Sequence, residues 1–250
     1  MTLPQFLDTP QGRRIAYHHS PGTGPGVVFL GGFMSDMDGS KAVFLDDWAR
    51  AAGRAFLRFD YSGHGQSSED FTDGCVGDWA EDAMAAIAAL TDGPQILVGS
   101  SMGGWISLLC ARAMPERIAG MVTIAAAPDF MTTSMWDSLG ADGQAQVMSK
   151  GVVQVPSDYD APYTITRRMI EDGREQEVLT RPLVLPWPVR FLQGTDDEAV
   201  ATDVAVRLID HATGPDLRLT LVKGADHRFS TPECLAMIAA AITDVLEKGA

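Results

Sequence analysis

The chain is predicted to fold as an α/β protein, with a mostly parallel central sheet flanked by helices. Two observations predict this. Short runs of β-branched and aromatic residues recur and read as buried strands, and longer stretches with apolar residues near helical spacing lie between most of them. Strand–helix alternation of that kind favours parallel pairing with both faces covered. In order, residues 6–17 around Gln11-Gly12 read as a β-hairpin, and strands follow at 27–30 and 55–59. Residues 78–90 are alanine-rich, with Ala80, Met84, Ile87 and Leu90 near helical spacing. Strand 95–98, helix 102–114 and strand 121–125 come next, then strand 189–192, helix 200–211, strand 217–222 and helix 232–246.

One stretch breaks the rhythm. From 129 to 188 no clear strand is visible, and methionines, Trp136, Tyr159, Tyr163 and Trp187 are scattered among helical fragments. About 60 residues is too long for a plain loop inside a compact domain. A helical cap over the C-terminal edge of the sheet is expected there; two crossover helices with long connections are the alternative.

Composition narrows the function classes. At 250 residues, with 46% hydrophobic and 21% charged side chains, the chain suits a single domain spanning 1–250, not a disordered or fibrous protein. A net charge of −14 disfavours nucleic acid and anionic membrane surfaces as partners. Cys75, Cys110 and Cys234 are few and far apart, which argues against a disulfide scaffold or a structural zinc site. The start, Met1-Thr2-Leu3-Pro4-Gln5, shows no basic region followed by an apolar one, and no run approaches the ~18 apolar residues of a membrane span. No membrane insertion and a cytoplasmic location are therefore expected.

The strongest chemical signal is Gly99-Ser100-Ser101-Met102-Gly103, a G-x-S-x-G pattern between a predicted strand and a predicted helix. That is the context of a nucleophile elbow, a turn so tight that glycines must relieve crowding on both sides of the serine. Ser101 is the candidate nucleophile; Ser100 is in the wrong register. A serine hydroxyl needs a neighbouring base, and His227, just past the last predicted strand, is the best of five histidines. His18 and His19 sit by the hairpin, His211 ends a helix, and His64 lies between glycines that suggest a turn. The base needs a carboxylate, and the loop after 189–192 offers Asp196, Asp197 and Glu198, with Asp129 a weaker alternative. Backbone donors for an oxyanion are expected at Met102 and at Phe33, in Leu30-Gly31-Gly32-Phe33. Trp105, Met131 and Trp136 are candidate substrate contacts, although the apolar residues of the cap fit cap–core packing equally. No metal cluster or phosphate-cradling loop stands out, since Gly63-His64-Gly65 lacks the third glycine and the helix of a dinucleotide site. No cofactor is expected.

Together with Phe59-Asp60-Tyr61-Ser62-Gly63-His64-Gly65-Gln66-Ser67, these residues resemble the α/β-hydrolase superfamily along essentially the whole chain. More narrowly, residues 92–105, Gly39-Ser40-Lys41-Ala42 and Asp226-His227-Arg228 are similar to the mitochondrial palmitoyl-protein thioesterase and acyl-glucuronide esterase subfamily. The resemblance implies the chain order nucleophile, acid, histidine, and the pattern G-x-x-D-x-x-V selects Asp197, with Asp196 still an alternative. It implies ester or thioester substrates with a fairly large acyl part, small molecules or acylated proteins, including acyl glucuronides. Two departures stand out. No mitochondrial targeting segment is visible, which suggests a bacterial-type relative. Members usually place His-Gly before the oxyanion residue, whereas Gly31 stands here and removes a side-chain prop. Rival readings are a C–C bond hydrolase or cofactor-free perhydrolase on the same fold, and a non-catalytic ligand-binding protein on this scaffold. Oligomeric state is not legible.

Overall fold

The computed structural model describes residues 3–156 and 162–249. The chain opens with β1 (Gln5–Asp8) and β2 (Arg14–Ser20), an antiparallel pair, and continues into β3 (Thr23–Leu30), α1 (Ser40–Ala51) and β4 (Arg54–Phe59). Next come α2 (Val76–Leu90), β5 (Gln95–Ser100), α3 (Met102–Ala113) and β6 (Ile118–Ile124). The 129–188 stretch carries α4 (Ser134–Ser138), α5 (Gly140–Lys150), the antiparallel hairpin β7 (Val152–Val155) and β8 (Tyr163–Thr166), and α6 (Arg167–Glu175). The chain closes with β9 (Val189–Gly194), α7 (Thr202–His211), β10 (Leu217–Val222) and α8 (Pro232–Lys248).

The large sheet has eight strands in the order β1-β2-β4-β3-β5-β6-β9-β10. From β4 to β10 every neighbouring pair is parallel, so six carboxyl ends share one edge. Successive side chains of a strand point to opposite faces. In β5, Leu97 joins a core with Trp79 and Ile87 of α2 and Ile106 of α3, while Ile96 and Val98 join a second core with Leu45 of α1 and Ile238 and Ile242 of α8. Helices cover both faces, which is why the central strands read as continuous apolar runs. Burying each such side chain contributes about 1.5–3 kcal/mol, which anchors the strand ends that carry the site.

Two elements depart from the sequence expectation. Helix α1 has no apolar period in the sequence: its buried stripe is Ala42, Leu45, Asp46 and Ala49, so a carboxylate and two alanines occupy positions where a large apolar period would show. Asp46 is tolerated inside because Arg50, Arg58 and Ser20 all donate to it. The hairpin β7–β8 contradicts the expectation of no strand between 129 and 188. Four-residue strands between helices carry too short a pattern to outweigh their surroundings. Tyr159 lies outside the described residues.

The 129–188 stretch packs largely on α2 and α3. Asp172 of α6 accepts from the Gly77 amide at 2.8 Å, and the Trp105 indole donates to the Gln176 carbonyl at 3.1 Å. Asp129 is buried and accepts from the amides of Val178 and Leu179 at 2.8 and 2.9 Å, tying the two ends of the stretch together.

Candidate active site

Strand β5 delivers Ser101 to the sheet edge and α3 begins at the next residue. Ser101 has φ 55° and ψ −117°, a region where a residue with a Cβ is strained by about 1–3 kcal/mol. Its backbone is held there by three bonds: its amide donates to the Ile124 carbonyl at 2.9 Å, and its carbonyl accepts from Gly104 and Ala127 at 2.9 and 3.1 Å. The glycines are sterically required. A Cβ at Gly99 would stand 2.3 Å from the Gly103 carbonyl oxygen, and one at Gly103 would stand 2.0 Å from that of Leu30.

His227 lies in the loop after β10 and spans the gap between two strand ends. Its Nε2 is 3.2 Å from Ser101 Oγ, and its Nδ1 is 2.9 Å from Asp197 Oδ2. An ionised carboxylate only accepts, so Nδ1 carries the proton and Nε2 presents a lone pair to the serine hydroxyl. The Asp197 side chain is fully shielded from solvent, and the ring of His227 is about one-third exposed, with 0% and 33% of side-chain area accessible. Asp197 Oδ1 accepts from the amides of Ala199 and Val200 at 2.9 and 2.8 Å, and Oδ2 accepts from Gln193 Nε2 at 3.0 Å as well as from His227. Burial alone would raise its pKa. The bonds from His227, Val200 and Gln193 outweigh burial and hold the carboxyl below the usual value.

The loop after β3 lies against the serine. A Cβ at Gly32 would be 3.5 Å from the Ser101 Cβ, and Phe33 follows directly. The Phe33 ring meets Phe71, Phe130 and Tyr163 edge-on at 4.9–5.6 Å. Met102 is the first residue of α3, where an amide has no carbonyl one turn back to bond.

The other candidates are placed elsewhere. Asp196 is exposed and accepts from Thr195 Oγ1, and the Asp129 carboxylate is committed to Val178 and Leu179. Ser100 is the last residue of β5, paired with Ile124. His211 closes α7 and bonds the Arg181 carbonyl. Two of the three proposed substrate contacts, Trp105 and Met131, require correction because they are buried in the core. Trp105 is fully buried, edge-on to Phe130 and bonded to Gln176; Met131 is buried in the core against Gly173; and Trp136 lies under the Arg174 guanidinium at 5.1 Å. Trp105 and Met131 are occupied by internal packing, which an apolar residue type cannot distinguish from a cleft wall, while Trp136 stays half-buried.

Three side chains that the sequence pattern does not assign to the site, Gln193, Lys41 and Ser40, support it. Gln193 is completely buried near the end of β9, and a glutamine directly after the apolar pair Phe191-Leu192 was the available signal. Lys41 donates to the Arg228 carbonyl at 2.5 Å, and Ser40 Oγ contacts Ser230 Oγ at 3.2 Å, so the start of α1 clasps the loop that carries His227. His64, which the sequence puts in a loop at the sheet's C-terminal edge between glycines that suggest a turn, accepts from the Met34 amide. Among the described residues no group of three or more His, Cys, Asp or Glu side chains is placed to hold a metal ion, and no helix is long and apolar enough to cross a membrane.

A parallel sheet covered on both faces, with a serine on a strained strand–helix turn facing a histidine–carboxylate pair, defines the α/β-hydrolase class. The chain belongs to that family. Residues 25–147 match the family described as alpha/beta hydrolase fold. The chain is 34% identical over 249 residues to the mitochondrial palmitoyl-protein thioesterase ABHD10 of Rattus norvegicus, covering 99% of this chain and 84% of that one. The Homo sapiens protein of the same name is 33% identical, covering 99% and 81%. The solved structure of alpha/beta hydrolase domain-containing protein 10 from mouse superposes with a TM-score of 0.92 at 32% identity over 100% of both chains. These relatives correct the cytoplasmic expectation, because they are named mitochondrial. Location is set by receptor-read addresses, which neither charge nor the folded domain records.

Proposed function

We propose that the protein is a serine hydrolase that cleaves thioesters and carboxylic esters through an acyl-enzyme on Ser101. The observation that carries this reading is the single imidazole reaching Ser101 Oγ at 3.2 Å and Asp197 Oδ2 at 2.9 Å. In the first half-reaction Ser101 Oγ attacks the carbonyl carbon while His227 Nε2 takes its proton. The tetrahedral oxyanion is met by the amides of Met102 and Phe33, each worth about 3–4 kcal/mol in such sites. Collapse expels the thiolate or alkoxide, which takes the proton back from His227. Water then repeats the sequence and frees the acid.

The relatives named palmitoyl-protein thioesterase support thioesters, acylated proteins among them, as the substrate class, while acyl glucuronides belong to the oxygen-ester side of the reading. The aromatic surround of Phe33 suits an apolar acyl group. In this reading the 129–188 stretch caps a single 1–250 domain, with Phe130 and Tyr163 brought to the Phe33 loop. Replacement Ser101→Ala should abolish hydrolysis of p-nitrophenyl esters and acyl-thioesters with an unchanged melting temperature. Turnover near wild type in that variant would reject Ser101 as nucleophile. A wild-type protein inert both to these substrates and to a fluorophosphonate probe would favour the ligand-binding alternative.

A further inference from the structure

Residues 32–35 form a turn in which the Ser35 amide donates to the Gly32 carbonyl at 3.1 Å. Met34 occupies the third position with φ 55°, a value the turn normally reserves for glycine. A side chain there is strained by about 1–3 kcal/mol, and such strain persists only where other contacts hold it. One contact stands out. The Met34 amide points at His64 Nε2, 3.2 Å away, across the gap between the loops that follow β3 and β4.

The His64 ring is fixed so that it can accept. Its Nδ1 lies 3.1 Å from the Ser62 carbonyl, which has no proton to give, so Nδ1 donates and Nε2 is left with its lone pair. Ser62 is in turn anchored through its amide and hydroxyl to Asp82, at 2.9 and 2.6 Å, and Asp82 is bound by Arg13 Nε at 2.6 Å. The ring is 4% exposed and packs edge-on against Tyr61, Phe71 and Trp79. Burial lowers its pKa, which keeps it neutral and able to accept.

We propose that His64 is a positioning residue for the oxyanion loop, accepting the Met34 amide proton and thereby fixing the peptides on either side of Phe33. The Ser35–Gly32 bond fixes the peptide before Phe33, whose amide points away from the Gly32 carbonyl in a trans unit. The His64 bond fixes the peptide after it and offsets the strain at Met34. His64 thus supplies from a second loop the prop that Gly31 cannot provide. This inference rests on the assignment of Ser101 as nucleophile and Phe33 as oxyanion donor.

Two variants and one measurement on the wild type test it. His64→Phe keeps the ring volume without the acceptor; His64→Gln keeps an acceptor at the Nε2 position. His64→Phe is expected to lower kcat about 10–100-fold with KM within about twofold, and to weaken a trifluoromethyl ketone inhibitor by a similar factor, because misaligned donors are felt only by the developing oxyanion. His64→Gln should restore most of kcat. A folded His64→Phe variant with wild-type kcat overturns the proposal, as does a His64→Gln variant no better than the phenylalanine. Should His64→Phe fail to fold, the 15N shifts of the wild-type imidazole decide: the Nδ1–H tautomer is expected, and an Nε2–H tautomer overturns it. A wild-type protein with the expected tautomer and no esterase activity would instead reject the hydrolase reading.

Discussion

Gln193 and His227 share one oxygen: both donate to Asp197 Oδ2, at 3.0 and 2.9 Å. Gln193 Nε2 also contacts the carbonyls of Gly194 and Val200, so one buried amide ties the end of β9 to the carboxylate and to the far side of its loop. Gln193→Leu keeps much of the volume and removes every donor. It should cost about 2–4 kcal/mol of stability, since buried acceptors are left unpaired, and lower kcat/KM as Asp197 loosens. Urea denaturation alongside ester kinetics reads both; a neutral leucine variant would show that the backbone amides alone orient Asp197.

Asp197 links the site to pH. Its carboxyl is held below the usual carboxylate value in the folded protein, so its contribution to stability is present above about pH 4 and is lost as pH falls through the folded value. Asp197→Asn should therefore be less stable than wild type at pH 7, with the gap closing only in strong acid. The variant should also lose about 10²–10⁴ in kcat, because the imidazole loses its fixed tautomer and its counter-charge. Denaturation curves from pH 7 to pH 2 check the first expectation, and a stability gap that widens on acidification contradicts it.

The elbow makes a steric demand. A methyl at Gly103 would have to displace the carbonyls of Leu30 and Gly31, 2.0 and 2.6 Å from its position. Gly103→Ala is expected to cost about 3 kcal/mol and to push α3 from the end of β3, carrying the Met102 amide with it. A thermal melt and a kcat comparison would expose this, and a fully stable, fully active variant would mean the helix start is free to move.

Arg13 bears on the same region from below. Its guanidinium meets Asp82, whose side chain has no solvent-accessible area, and through Asp82 it supports Ser62 in the loop that carries His64. Arg13→Ala strands that carboxylate and should cost about 3–5 kcal/mol. Burial already raises the Asp82 pKa despite Arg13. Without its partner the carboxyl would take up a proton more readily, so the deficit should be smaller at pH 5 than at pH 8. Equal deficits at both pH values would indicate that charge is not the cause.

Much of this was legible from local pattern. The runs at 27–30 and 96–98 are apolar on both faces because helices cover both, and the elbow reads in five letters because the crowding of Gly99 against Gly103 lies within them. What failed to show has equally physical reasons. Helix α1 hides its inner face behind alanines and Asp46, strands β7 and β8 are too short to carry a period, and Trp105 of α3 with Met131 and Trp136 of the 129–188 stretch have a chemistry that suits a core as well as a cleft.

The amino-acid sequence by itself determined most strands of the large sheet and the helices α2, α3, α7 and α8, the crowded turn at Ser101 and the kinds of group that could serve it, since each depends on neighbours a few residues apart. Only the tertiary structure decided which groups meet. Strand order sets β3, β4, β5, β9 and β10 so that their loops converge, and this joins His227 to Asp197, Lys41 to the Arg228 carbonyl and His64 to the Met34 amide. Those contacts span 30 to 187 residues of chain, and a bond of that reach exists only once packing of both faces of the sheet has fixed the ends of its strands.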